Sequence, residues 1–148
     1  MSDEIDGRTE LASFTGSLIR RAQQRHVAIW QTVVSTDISS VQYAALVVLS
    51  RNPGASQREL GDGLDLDRST IADIVARMVR KGLIERGQAC DDKRRKTLHL
   101  SAEGEAQLLS LRPRVETVEH VLTRPLADKE TMELKRLLSA LLDGDFLP

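Results

Sequence analysis

The sequence predicts a mainly α-helical chain with one small β-hairpin, and three observations carry that prediction. Two capping-box patterns, Ser39 with Gln42 and Ser56 with Glu59, mark helix starts. Apolar residues recur at helical spacing beyond them, as at Ile71, Ile74, Val75, Met78 and Val79. Strand-like patterning is confined to "LIER" at 83–86 and "TLHL" at 97–100, with the polar "GQACDDKRRK" between them.

At 148 residues the chain suits one domain, or one domain with an added helical platform. Aromatics are few (Phe14, Trp30, Tyr43, Phe146), so the core is expected to be aliphatic. The longest apolar run, Tyr43 to Leu49, falls far short of the roughly 18 residues a bilayer span needs. The opening "MSDEIDGRTE" is acidic and has no signal-peptide pattern. A lone Cys90 excludes an intramolecular disulfide and suits a reducing compartment, so a cytoplasmic protein is expected. Net charge is only −1, but residues 51–96 carry eleven Lys/Arg against eight Asp/Glu, and residues 97–148 six against nine. A mildly basic middle can meet phosphates while an acidic tail keeps the chain soluble.

Leu11, Phe14, Leu18, Ala22, Ile29 and Val33 outline one long helix over about 10–34, which "TDISS" breaks. The first capping box then opens "VQYAALVVLSR", ended by "NPGA". The second opens the short "QRELGDGL". After the turn "GLDL", Asp67 is a good N-cap for "RSTIADIVARMVRKG", closed by Gly82. Two short helices across a tight turn, the second amphipathic, read as a helix-turn-helix. The hairpin that follows, with Leu98 and Leu100 on one face, makes it a winged helix-turn-helix. Ser101 caps "AEGEAQLLSLRPRVETVEHVL", which Pro113 should kink and Pro125 end. "ADKETMELKRLLSALL" makes the last helix. The organisation expected is an N-terminal helix in 1–38, a winged helix-turn-helix lobe in 39–100 and C-terminal helices in 101–148.

A helix-turn-helix places the N-terminal residues of its second helix nearest the bases. Here Arg68 can pair with guanine or with a phosphate, while Ser69 and Thr70 suit phosphate oxygens at the positive helix end. Arg77, about two turns on, can reach the backbone. In the wing, Lys93, Arg94, Arg95 and Lys96 can reach phosphates or the adjacent minor groove, with Asp91 or Asp92 bracing an arginine. A solvated turn is the bland account of that run, and its place in a hairpin beside a helix-turn-helix argues for DNA. Asp73 can accept from a cytosine amine, restrain Arg77 one turn on, or face solvent. Restraint of Arg77 is the reading preferred, since a bare carboxylate rarely helps near phosphates.

On these residues the sequence resembles the MarR family of bacterial transcription regulators. The resemblance runs from "LDLDRSTIADIVARMVRKGLIER" through "DDKRRKTLHLS" and, more weakly, into the helices on both sides. It implies a homodimer on a pseudo-palindromic operator, with the terminal helices as the dimer platform, and usually repression relieved by a small molecule. By position it implies that Arg94 is the wing-tip arginine and that Arg68, Ser69 and Thr70 face DNA. Asp73 stands where many members carry a basic or small residue. A dimer is expected on residue grounds too: Leu11, Phe14 and Leu18, with Leu134, Leu137, Leu138, Leu141 and Leu142, are too many apolar groups for one small lobe to bury.

For an effector, "RRAQQRHVAIW" places Arg20, Arg21, Gln24, Arg25, His26 and Trp30 on one helix, with Arg21 and Arg25 one turn apart. Paired guanidiniums and a flat indole wall suit an anionic aromatic acid, or the phosphates of its coenzyme A thioester. The segment is similar to family members of aromatic-acid or acyl-thioester catabolism. The competing account makes these arginines ion-pair partners of the acidic C-terminal helices. Tyr43 can offer its hydroxyl to the same cavity, or simply pack with it at the surface. His26, His99 and His120 lack metal-ligand spacing, so no metal and no cofactor is expected. Cys90, near Lys93 and Arg94, raises the possibility of a redox-responsive regulator, and an incidental thiol is the simpler account. A constitutive regulator and a purely architectural winged helix would use the same fold. No nucleophile–base pair, phosphate loop or paired carboxylate points to an enzyme.

Overall fold

The computed structural model describes residue Glu10 and residues 12–145; Leu11 and Phe146 lie outside them. In chain order the elements are α1 (Thr15–Val33), α2 (Ser40–Arg51), α3 (Gln57–Gly63), α4 (Arg68–Arg80), β1 (Ile84–Gln88), β2 (Lys96–Leu100), α5 (Ala102–Thr123) and α6 (Asp128–Leu142). The fold is a mainly α-helical winged helix-turn-helix. No helix among the described residues is long and apolar enough to cross a membrane.

Both capping boxes form. Ser39 Oγ accepts from Gln42 N at 3.2 Å and the Gln42 side chain returns to Ser39 N. Ser56 and Glu59 do the same at 3.1 and 2.8 Å. Each box satisfies two donors that a helix start otherwise leaves orphaned. The long N-terminal helix starts later than its apolar pattern suggests, at Thr15. Before it, Ser13 turns back with its N–H and its hydroxyl both on Glu10 O, at 3.2 and 2.7 Å.

The turn between α3 and α4 is a helix-ending motif with Asp65 in the left-handed region, φ 52°. Asp65 N–H reaches Asp62 O at 3.3 Å and Leu66 N–H reaches Gly61 O at 2.9 Å. A short polar side chain tolerates that conformation. Gly61 lets the two helices close: a Cβ there would lie 3.3 Å from both Ile71 Cγ2 and Leu66 O. The same motif ends α4, with Gly82 at φ 72°, Gly82 N–H on Val79 O and Leu83 N–H on Met78 O.

The hairpin is antiparallel and pairs Ile84 with Leu100 through Gln88 with Lys96. Its strands run further into the polar stretch than the sequence suggests, because the ladder uses backbone groups and ignores side-chain polarity. Lys96 is therefore in β2, and the charged tip shrinks to 89–95. Leu98 is buried and Leu100 only half-buried, and Thr97 on the opposite face is buried as well. A rung absent from the sequence reading joins Ala55 to Leu98, through Leu98 N–H on Ala55 O at 2.8 Å and Gly54 N–H on Leu98 O at 3.0 Å. It ties the start of α3 to the wing.

The residues form two compact units, Trp30–Val115 and the remainder. The first has an aliphatic core in which Leu46, Leu49, Leu60, Val75, Met78 and Ile84 are fully buried. In the second, Val118 is buried, Lys135 pairs with Glu119, and α6 has no buried residue. Helix α5 runs continuously through Pro113.

The start of α5 packs directly on backbone. Ser101 N–H donates to Leu83 O at 3.0 Å, and Ser101 Oγ, which donates to Gly82 O, accepts Gly104 N–H at 3.0 Å. A Cβ at Gly104 would lie 2.1 Å from Leu83 O. Gly104→Ala should therefore cost about 2–4 kcal/mol of stability, because a backbone oxygen cannot rotate away. Urea denaturation followed by circular dichroism measures it, and an unchanged midpoint would mean that α5 can shift freely.

Candidate nucleic-acid interface

Asp67 organises the first turn of α4. Its Oδ1 accepts the Thr70 N–H at 2.8 Å and the Ser69 hydroxyl at 2.8 Å, and its Oδ2 accepts the Thr70 hydroxyl at 2.9 Å. These donors, the Thr70 N–H first and then the two hydroxyls, lower its pKa from 3.8 to about 2. The carboxylate is ionised at any physiological pH. The sequence offers Ser69 and Thr70 to phosphate oxygens; in the structure both hydroxyls donate to Asp67.

Arg68 and Arg77 are exposed on α4, whose opposite face buries Ile71, Val75 and Met78. Arg68 lines a cleft between α3 and α4 together with Gln57, Arg58, Asp62 and Leu66. Sequence reasoning does not single out Arg58. The signal available is its place in the first turn of the helix before α4. Asp73 is exposed and forms no ion pair with Arg77 among the described residues. The preferred sequence reading is thus corrected: an exposed pair one turn apart gains too little to hold two side chains in one geometry.

At the wing tip, Asp92 is a brace, but of backbone. Its Oδ1 accepts Arg94 N–H at 2.9 Å, while Arg95 N–H reaches Asp92 O at 3.1 Å and Ala89 N–H reaches Arg95 O at 3.0 Å. An aspartate at the start of a tight turn makes this bond readily. The brace leaves Lys93, Arg94, Arg95 and Lys96 exposed, without an ion pair among the described residues. Cys90 is an exposed, free thiol beside them.

Of the proposed effector residues, Arg20, Arg21, Gln24 and Arg25 are exposed on α1 and His26 is half-buried. The three arginines form no ion pair among the described residues. Trp30 is not the open wall the sequence suggests. It is 5 % exposed, its indole N–H donates to Ile38 O at 2.8 Å, and its ring meets Tyr43 at 5.8 Å, tilted by 56°. Being the largest apolar side chain on a helix otherwise rich in arginine, it is drawn into the core of the Trp30–Val115 unit.

A clasp links Asp37 and Gln42 to α4. Lys81, which caps the C-terminus of α4, donates to Asp37 O and to Gln42 Oε1 at 3.4 Å, and lies 3.7 Å from the Asp37 carboxylate. Asp37 adjoins Ile38, whose carbonyl holds Trp30. A further anchor, Arg114 donating to Val34 O at 3.2 Å, holds the same segment.

A helix-turn-helix with exposed cations on its second helix and on a braced wing defines a winged helix-turn-helix DNA-binding protein. Comparison with known proteins agrees. The MarR family model matches residues 36–95. The transcriptional regulator HosA of Escherichia coli is 30% identical over 125 residues, 84% of this chain and 92% of that protein. The PcaV transcriptional regulator of Streptomyces coelicolor, solved in complex with its natural ligand, is 39% identical with TM-score 0.85, over 90% of this chain and 95% of that one. A mutant MarR from E. coli complexed with operator DNA is 26% identical with TM-score 0.79, over 86% and 92% of the two chains. The chain belongs to the MarR family of transcriptional regulators.

The lowered Asp67 pKa makes a prediction whose sign is fixed. A carboxyl held below its ordinary 3.8 contributes stability that is complete above that pH and is lost as pH falls towards 2. The urea midpoint of the wild type should therefore exceed that of Asp67→Ala at pH 7, with the gap closing as pH falls through that window. A gap independent of pH would show that the carboxylate charge is not its source.

Proposed function

We propose that the protein is a homodimeric repressor on a pseudo-palindromic operator, released by an anionic aromatic acid or its coenzyme A thioester. The DNA assignment rests chiefly on one observation: Arg68 and Arg77 on α4, Arg58 beside them, and Lys93 to Lys96 on the wing are all exposed and outside any ion pair among the described residues. In a twofold dimer the two copies of α4 would fall about 34 Å apart, one turn of DNA. A platform built from the terminal helices is supported by Phe14, Leu18, Leu134, Leu137, Leu138, Leu141 and Leu142, which are 41–66 % exposed in the single chain. Apolar groups left in water this way gain about 25 cal/mol per Å² when a second copy covers them. On this reading residues 1–38 and 101–148 serve the platform and residues 39–100 the DNA.

The effector reading is supported by Arg20, Arg21 and Arg25 on α1, which lie outside any ion pair among the described residues. Gln24 and His26 sit among them, and the Trp30–Tyr43 pair lies further along the chain. Guanidiniums without a carboxylate partner are available to a ligand's carboxylate or phosphates. The likeness to PcaV, itself solved with a natural ligand, supports a ligand-responsive role. Release requires that the ligand prefer one spacing of the two recognition helices, typically by about 1–3 kcal/mol.

Three outcomes test this. Arg94→Ala should weaken DNA binding on every sequence and flatten the salt dependence by about one phosphate contact; unchanged affinity and slope would remove the wing from the interface. Sedimentation at micromolar concentration should give a dimer. Finally, aromatic acids and their coenzyme A thioesters should be titrated into the protein–DNA complex. One class should release the DNA, read by anisotropy, and perturb the emission of Trp30, the sole tryptophan. Tight binding that no compound disturbs would make the protein a constitutive regulator, and release by an oxidant alone would point to Cys90.

A further inference from the structure

Ser69 is exposed on the first turn of α4, the turn that the proposed DNA interface presents to the bases. Its hydroxyl has one proton and two lone pairs. Asp67 Oδ1, 2.8 Å away, is an ionised carboxylate oxygen and can only accept, so the proton of that bond is the hydroxyl's own. The other carboxylate oxygen is taken by Thr70 in the same way, and the Thr70 N–H completes the set. Three donors thus converge on one side chain. Turning the Ser69 proton to a phosphate would exchange one charge-assisted bond for another and gain nothing, while Asp67 Oδ1 would lose a donor it already holds.

Two consequences follow for what Ser69 can touch. A phosphate oxygen has no proton to give, so a serine whose only proton is spent makes no hydrogen bond to it. The Asp67 charge at the same helix end also offsets the positive potential that would otherwise draw a phosphate there. What such a hydroxyl can meet is a donor, and in the major groove the donors are the exocyclic amines of adenine (N6) and cytosine (N4). Phosphates have other partners: the exposed guanidiniums of Arg58 and Arg68 in the α3–α4 cleft, and the wing cations.

We propose that Ser69 is a sequence-determining residue that accepts a hydrogen bond from an adenine or cytosine amine, with Asp67 as the positioning residue that sets its polarity. This rests on α4 being the DNA-reading helix, as proposed above.

The test starts by selecting preferred duplexes from a random library with the full-length wild type. Ser69→Ala should then relax the preference at one base pair of each half-site. On the wild-type sequence it should cost about fivefold in affinity, the size of one hydrogen bond. Replacing the amine-bearing base at that position by an analogue lacking the amine, purine for adenine or pyrimidin-2-one for cytosine, should weaken the wild type by the same factor and leave Ser69→Ala unaffected. Which analogue acts identifies the base. Asp67→Ala removes the acceptor of the Ser69 proton and should weaken the preference for the amine at that base pair, with circular dichroism checking that the fold is kept. Two results would overturn the inference. Ser69→Ala could lose the same factor on every duplex and every analogue, which is the behaviour of a phosphate donor, or it could lose nothing on any. Arg68→Ala and Arg94→Ala, run alongside, separate this from failure of the interface. If both weaken binding while the Ser69 arms come out uniform, only the polarity assignment falls. If neither weakens it, the interface reading falls and the assignment with it.

Discussion

The first turn of α4 depends on one carboxylate. Asp67 caps α4, holds the hydroxyls of Ser69 and Thr70, and is kept ionised by the donors it gathers. Without it, α4 would begin with an unsatisfied N–H and two freely rotating hydroxyls. With it, the first turn presents a fixed pattern: a cation at Arg68 and an oxygen at Ser69 whose lone pairs remain open to a donor. A cap is usually discussed as a contribution to helix stability. Here the same bonds also decide which chemical partner the helix can recognise.

The frame that holds α4 in place is made of backbone as much as side chain. Left-handed residues at Asp65 and Gly82 end the two helices of the motif with the same pair of hydrogen bonds. Gly61 lets α3 and α4 approach closely, and Gly104 lets α5 rest on Leu83. The Ala55–Leu98 rung extends this frame to the wing. The wing is braced internally by Asp92 and anchored at its root by that rung.

The Lys81 clasp gives α4 a second attachment, at its C-terminal end. It joins α4 to the 35–38 segment, which also holds the Trp30 indole. Any change at the Trp30–Tyr43 pair therefore has a contiguous set of hydrogen bonds leading to the C-terminus of α4. That is the kind of two-ended contact through which a ligand's preference for one arrangement can reach a distant helix.

The local grammar of the fold was legible in the residues themselves. Both capping boxes, the Asp67 cap, the Gly82 stop, the hairpin and the family are written in residues a few positions apart, where a hydrogen bond needs nothing but the helix or turn it starts. That Arg68, Arg77 and the wing cations are exposed was legible for the same reason, as charges on the polar side of recognisable elements. What only the tertiary structure decided involves partners far apart or choices between competing acceptors. Trp30 became core because Ile38 O and Tyr43 gave it a place there, and Lys81 found Asp37 across 44 positions. Arg58 joined Arg68 only once α3 and α4 were packed. The hydroxyls of Ser69 and Thr70 could have faced a phosphate or their own cap, and sequence spacing permits either. In the folded geometry the Asp67 carboxylate lies 2.8 and 2.9 Å from the two hydroxyls and takes both protons, a choice of acceptor that spacing alone does not make.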